Sequence, residues 1–273
     1  MPLGNPGKKV SQAFVQAAKG AGDVGKSAIE VARSNVADGL RSARDIGTEA
    51  SALAGDVVAG IIHAAGQVGG ELGSVAKGAV VGTIRGVGEV TKVTVDEVSD
   101  IIRAAIKGTS EVGGDVTKTT QGAAHGALTA TKSVGLDIED ATSSIARGAI
   151  HGAKDIGADI GTVARATIKG TIIGAKETGG DVIQAVQHMS SGLIKWTANV
   201  GGDLSTVAKN VVVGAIEAAK EVSVSAEDAA SAAATGAVKA AREVSEAASQ
   251  SVTKAVSGTI SGVKVVIKTP FKK

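Results

Sequence analysis

The chain has 273 residues and a formal net charge of +2, with no Cys, no Tyr, one Trp and two Phe. That excludes a disulfide framework and thiol chemistry, and it excludes a core built on aromatic side chains. Gly is abundant at 38 residues while Pro occurs three times, which is neither a collagen nor a linker composition.

At the N-terminus, MPLGNPGKKVSQAF lacks the long apolar run of a secretory signal. No stretch of the chain reaches ~18 uncharged residues, so no transmembrane span is expected. Both features point to a cytoplasmic protein. Lys8 and Lys9 at one end, with Lys264, Lys268, Lys272 and Lys273 at the other, form basic tips; without those six the body carries about −4. That is not the basic stripe of a nucleic-acid binder.

From Leu3 to Val266 the sequence reads as twelve consecutive 22-residue copies without insertion or deletion, clearest at Gly69–Val90, GGELGSVAKGAVVGTIRGVGEV. The whole chain is therefore one repeat region, with a basic tail over 267–273. Numbering each copy 1 to 22 from Gly69, position 16 is a large aliphatic in eleven of twelve: Leu40, Ile62, Ile84, Ile106, Leu128, Ile150, Ile172, Ile194, Ile216, Val238 and Ile260. Position 22 is Val or Ile in eleven of twelve. Small or apolar residues also fill positions 4, 8, 11, 12, 15 and 19. Spacings of three and four are helical, not strand-like. The two halves of the copy match, so the underlying unit is eleven residues, three turns of about 3.67 residues each. The apolar arc covers nearly half of the helix. Lys and Arg at positions 9 and 20 border one edge, and acids at positions 3 and 21 lie toward the other.

Two architectures satisfy this pattern. In one, favoured by the unbroken phase, the repeats form a single near-continuous amphipathic helix about 400 Å long at ~1.5 Å per residue, packed on itself or on copies. In the other, Gly-Gly pairs such as Gly113-Gly114 and Gly201-Gly202 end helices of about 18 residues, and Asp at position 3 caps the next. Either way the fold class is all-α. A β-solenoid is disfavoured, because positions 16 and 22 do not sit in period-2 runs. Each interior Gly costs ~1 kcal/mol relative to Ala, so the helix needs a surface to lie on.

Gly recurs at position 14 in nine of twelve copies, often with GxxxG spacing. Gly82, Gly86, Gly126, Gly148, Gly152, Gly170, Gly174, Gly192, Gly214, Gly236, Gly258 and Gly262 are thus expected at a helix–helix contact, where the missing side chain lets backbones approach. The site residues are this glycine edge and the position-16 aliphatics, read as a lipid or assembly face. No catalytic, metal or cofactor site is expected. His63, His125, His151 and His188 are scattered on polar positions, and His151 with Asp155 is the one plausible local pair. Gly82-Thr83-Ile84-Arg85-Gly86 lacks the Gly-Lys-Ser/Thr ending of a phosphate loop. Trp196 replaces a small residue beside the apolar arc, as an interfacial anchor or a packing variant.

Eleven-residue units such as Ala76-Lys77-Gly78-Ala79-Val80-Val81-Gly82 resemble the lipid-binding repeats of the synucleins. The 22-residue doubling is similar to exchangeable apolipoproteins and lipid-droplet coat proteins. The resemblance implies reversible coating of a lipid surface by an amphipathic helix, peripheral to a membrane or lipid body. The sequence thus suggests a non-enzymatic structural protein that coats or shapes lipid and self-associates as a homo-oligomer. The alternatives are a protein-only filament, tube or scaffold, and a soluble stress-protective or ice-surface helix. No cofactor, nucleic acid or small-molecule substrate is implied.

Overall fold

The computed structural model describes residues 5–20, 23–42 and 46–268. The start of the first copy at Leu3, and the tail residues 269–273 with Pro270, Lys272 and Lys273, lie outside them. The described chain folds into α1 (Asn5–Gly20), α2 (Val24–Ser42), α3 (Ile46–Gln67), α4 (Leu72–Gly88), α5 (Val95–Glu111), α6 (Val116–Ser133), α7 (Ile138–Asp155), α8 (Ile160–Glu177), α9 (Val182–Asn199), α10 (Leu204–Glu221), α11 (Ala226–Val244) and α12 (Glu246–Val256), then β1 (Gly258–Ile260) and β2 (Val263–Val265). The fold class is all-α. The near-continuous helix is not what forms: from α4 to α11 each copy is one helix with a break before the next, the arrangement expected from breaks at Gly-Gly.

The turn explains both the break and the constant repeat length. At Gly113 the backbone enters the left-handed region, φ 68°, which a β-carbon disfavours. Gly113 N–H donates to Ser110 O (3.1 Å) and Gly114 N–H to Thr109 O (2.9 Å), the paired bonds of a Schellman ending. Asp115 then caps α6 by accepting from Lys118 N (3.0 Å). The same ending and Asp cap recur at Gly135 with Asp137, Gly157 with Asp159, Gly179 with Asp181, and Gly201 with Asp203. From α5 to α11 helical phase survives from copy to copy because each turn has four residues, not because the helix continues; α4 and α5 are joined by the longer segment 89–94, which has no left-handed residue. At Ser223 a serine adopts the left-handed conformation, φ 56°.

Helices two apart in sequence make the most extensive contacts. The odd helices therefore form one layer and the even helices a second, with consecutive helices packed across the two. Within a layer the helices run parallel, since Gly122 lies on Gly73 and Gly126, one turn later, on Lys77. The apolar core lies between the layers and in the clefts inside them. Most of each inner helix is covered: along α8 from Val163 to Ala175, only Arg165, Lys169 and Ile173 are not buried. These are positions 9, 13 and 17, a single outward stripe.

The first two helices sit one turn out of step with the rest. Gly86 on α4, at position 18, lies over Arg33, at position 9 of α2, whereas Gly174 on α8, also at position 18, lies over His125, at position 13 of α6. The extra turn is taken up by α3, which has 22 residues where the helices from α6 to α10 have 18.

The two ends of the array differ from its middle. Where α4 carries Gly78, Gly82 and Gly86, the matching edge of α2 carries exposed Glu30, Ser34 and Asp38. At the other end the last copy does not stay helical. The hairpin of β1 and β2 packs against α11. The following segment is held by Val266 N–H donating to Ser231 Oγ (3.1 Å) and Lys268 N–H to Thr235 Oγ1 (3.0 Å).

Candidate functional surfaces

The position-16 side chains are among the most buried in the chain. Leu40, Ile62, Ile84, Ile106, Ile150, Ile172 and Ile194 are fully buried; Leu128, Ile216, Val238 and Ile260 are nearly so. The folded chain itself covers them, so this face is not presented to lipid or to a second copy. Ile260 reaches the core from β1 rather than from a helix.

The glycine edge meets the other side of the neighbouring helix in the same layer. A β-carbon on Gly126 would lie 2.5 Å from Lys77 O, on Gly86 2.7 Å from Arg33 O, and on Gly174 2.9 Å from His125 O. On Gly82, Gly148, Gly170 and Gly236 it would overlap the carbonyl oxygens of Ile29, Ser99, Gln121 and Gln187. On Gly214 it would meet Ile168 Cγ2 at 2.7 Å, and on Gly192 Ala146 Cβ at 3.0 Å. On Gly152 it would meet Ile106 Cβ at 3.1 Å, so a position-16 aliphatic fills the notch its neighbour's glycine leaves. These ten glycines line helix–helix contacts within the chain. Gly258 and Gly262 do not. They take left-handed conformations of φ 90° and 79° in the hairpin, with open space where a β-carbon would stand. Close helix–helix approach at the ten, backbone to backbone at most of them, explains how Ala, Val and Ile suffice without aromatic residues.

The outward stripes carry a ladder of ion pairs between neighbours in a layer. Arg103 on α5 holds Asp155 on α7 through Nε–Oδ2 (2.5 Å) and Nη2–Oδ1 (2.9 Å), with Lys107 3.9 Å away. Arg165 on α8 binds Glu217 on α10, and Lys169 reaches Glu221 at 3.0 Å. Lys77 on α4 crosses α6 to reach Glu177 on α8 at 2.9 Å, and His125 on α6 bonds the same carboxylate. The acids at position 21 are thus partners of the preceding helix in the layer, while Asp at position 3 caps helices.

The histidines are not free surface groups. His63 bonds Glu111 at 2.9 Å, and His188 lies 4.0 Å from Glu139. Asp155 belongs to Arg103, not to His151. His151 packs edge-on to Trp196 with ring centroids 5.7 Å apart, and Arg147 lies 5.2 Å over the indole. Trp196 is thus half-buried in a side-chain cluster. Burial, then the Lys77 charge, pushes the His125 pKa below its usual value, against the opposing pull of Glu177. His125 is therefore neutral near pH 7 and donates Nε2–H to Glu177. Burial also lowers His151, helped by Arg103 and Arg147. Hydrogen bonds from Arg103 hold the Asp155 carboxyl below the carboxylate range.

Among the described residues no three His, Asp or Glu side chains gather as a metal site. A cavity of about 620 Å³ lies beside α9, α11 and the C-terminal segment, where Ile183, Val238 and Ile267 meet Lys239 and Arg242. Among the described residues no helix is long and apolar enough to cross a membrane. No protein-family model and no curated protein matches the chain.

Sequence reasoning missed a charge alternation from α4 to α8 with twice the period of the repeat. Together α4, α6 and α8 carry seven Lys and Arg and one carboxylate, Glu177. By contrast α5 and α7 carry seven carboxylates and four cations. The signal was available by comparing alternate copies, but it has meaning only once alternate helices are known to share a face.

Proposed function

We propose that the chain is a non-enzymatic structural protein, a finite helical-repeat scaffold whose working surfaces are the outward stripes of its two layers. One observation carries this reading: the apolar face and the glycine edge are both consumed inside one chain. The polar edge of α2 and the hairpin on α11 support a closed array rather than an open-ended filament, since terminal repeats with polar outer faces are what solenoids need for solubility. Sedimentation and circular dichroism of the lipid-free protein test it. The reading expects a helical particle of defined size; a chain disordered until vesicles are added would overturn it.

A second reading keeps the lipid coat, peripheral to a membrane or lipid body in the cytoplasm. It is supported by the eleven-residue phase, which would align all the aliphatics on one face if the turns straightened. That requires the layers to part on the lipid. Unchanged tertiary protection on vesicles would count against it.

A further inference from the structure

We infer that the even-layer face is a docking surface for anionic lipid headgroups, engaged by the folded slab through charge and without insertion. The inference rests on the scaffold reading, because only alternate stacking brings α4, α6, α8 and α10 onto one surface.

Positions 6, 9, 13, 17 and 20 fall on one arc of a helix at ~100° per residue, the arc that faces outward here. On α4, α6 and α8 that arc presents Lys77, Arg85, Lys132, Arg165, Lys169 and Lys176 and no carboxylate, and on α10 it presents Lys209 and Lys220 beside Glu217. Some of these are tied to Glu177, Glu217 or Glu221, but Arg85, Lys176 and Lys209 have no ion-pair partner among the described residues. On the opposite layer the same arc of α5 and α7 sets Asp96 and Asp140 among Arg103, Lys107, Arg147 and Lys154, so the cation excess is larger on the even face.

The surface fits a bilayer better than a nucleic acid. Parallel helices ~8–10 Å apart make α4 to α10 a broad patch rather than a ridge for a groove. Half-buried Ile173 and Val213 interleave with the cations on the stripe. The described aromatic side chains, Phe14 and Trp196, belong to odd helices, so the even face has no base-stacking platform. Each Lys or Arg near an anionic leaflet adds attraction that decays within a Debye length.

Flotation with vesicles of phosphatidylglycerol and phosphatidylcholine, against phosphatidylcholine alone, tests this with the full chain. Binding is expected only to the anionic vesicles, falling at least tenfold as salt is raised well above physiological. Arg85→Glu, Lys176→Glu and Lys209→Glu together should lower it at least tenfold. Lys195→Glu, Lys239→Glu and Arg242→Glu together, the same charge change on the odd layer, should leave most of it. Circular dichroism of the variants and of the bound protein should match the free wild type. Absence of binding, equal binding to neutral vesicles, or retention by the even-face variant would overturn the inference while leaving the scaffold reading intact. Tighter, even-face-dependent binding to a DNA duplex than to vesicles would overturn it in favour of nucleic acid. Vesicle binding with loss of the compact fold would overturn both readings and favour the unfurled coat.

Discussion

The carbonyl oxygen of Lys77 on α4 lies 2.5 Å from the point a β-carbon would occupy on Gly126 of α6. Substitution there sets two effects against each other. Alanine improves helix propensity by ~1 kcal/mol. The added methyl must push apart two backbones, and overpacking of this kind costs about 1–3 kcal/mol or more. Gly126→Ala should therefore destabilise the fold despite making a better helix, and Gly148→Leu with Gly170→Leu should do so severely. Urea unfolding checks this; an unchanged or raised midpoint for Gly126→Ala would refute the contact.

The opposite change is expected at Ser223. A non-glycine residue in the left-handed region costs about 1–2 kcal/mol, and its left-handed counterparts at Gly69, Gly113, Gly135, Gly157, Gly179 and Gly201 are glycines. Ser223→Gly should raise stability by roughly 1 kcal/mol, read as a higher denaturant midpoint at unchanged slope. Removing the cap with Asp159→Ala should lower it by about 1 kcal/mol.

Much of this was legible in the sequence. Positions 16 and 14 identify which side chains are buried and which glycines sit at contacts, because a 22-residue period with spacings of three and four leaves little freedom. Unbroken phase suggests an unbroken helix only on the premise that a turn need not preserve phase. A four-residue turn repeated from α5 to α11, mostly with Gly at position 1 and Asp at position 3, preserves it by repetition. Ile260, Gly258 and Gly262 fit the repeat by residue type but not by structure: α12 stops at Val256, and a hairpin lies along α11. The partners of Asp155 and Glu177 were invisible because they lie two or four helices away.

Ile150 is fully buried within the chain. Ile150→Ala should cost about 2–5 kcal/mol. Ile84→Ser, Ile150→Ser and Ile216→Ser together should unfold the monomer, not merely weaken a contact between copies. Circular dichroism would show loss of helix at every protein concentration; a folded monomer that only loses assembly would contradict this.

Acid should weaken the fold in two windows. His125 and His151 have lowered pKa values in the folded state, so below their ordinary value near 6.5 the unfolded chain binds more protons. Stability therefore falls as pH drops from about 7 through 6.5 toward the folded values. The lowered Asp155 adds stability above about 4, which is lost on further acidification through its folded value. His125→Gln with His151→Gln should flatten the urea-midpoint profile between pH 7.5 and 5 and leave the steeper loss below pH 4. An unaltered slope in the upper window would show that neither histidine is linked to folding.

The central claim is that one chain folds its repeats into two layers before it meets any partner. Small-angle X-ray scattering of the lipid-free protein over a concentration series tests this most directly. A folded array gives a radius of gyration of the order of 20 Å, as expected for a compact chain of this length. A continuous helix ~400 Å long would instead give a radius of gyration above ~100 Å. A concentration-independent value near 20–25 Å is the predicted result; a rod-like profile, or a compact particle only at high concentration, would contradict it.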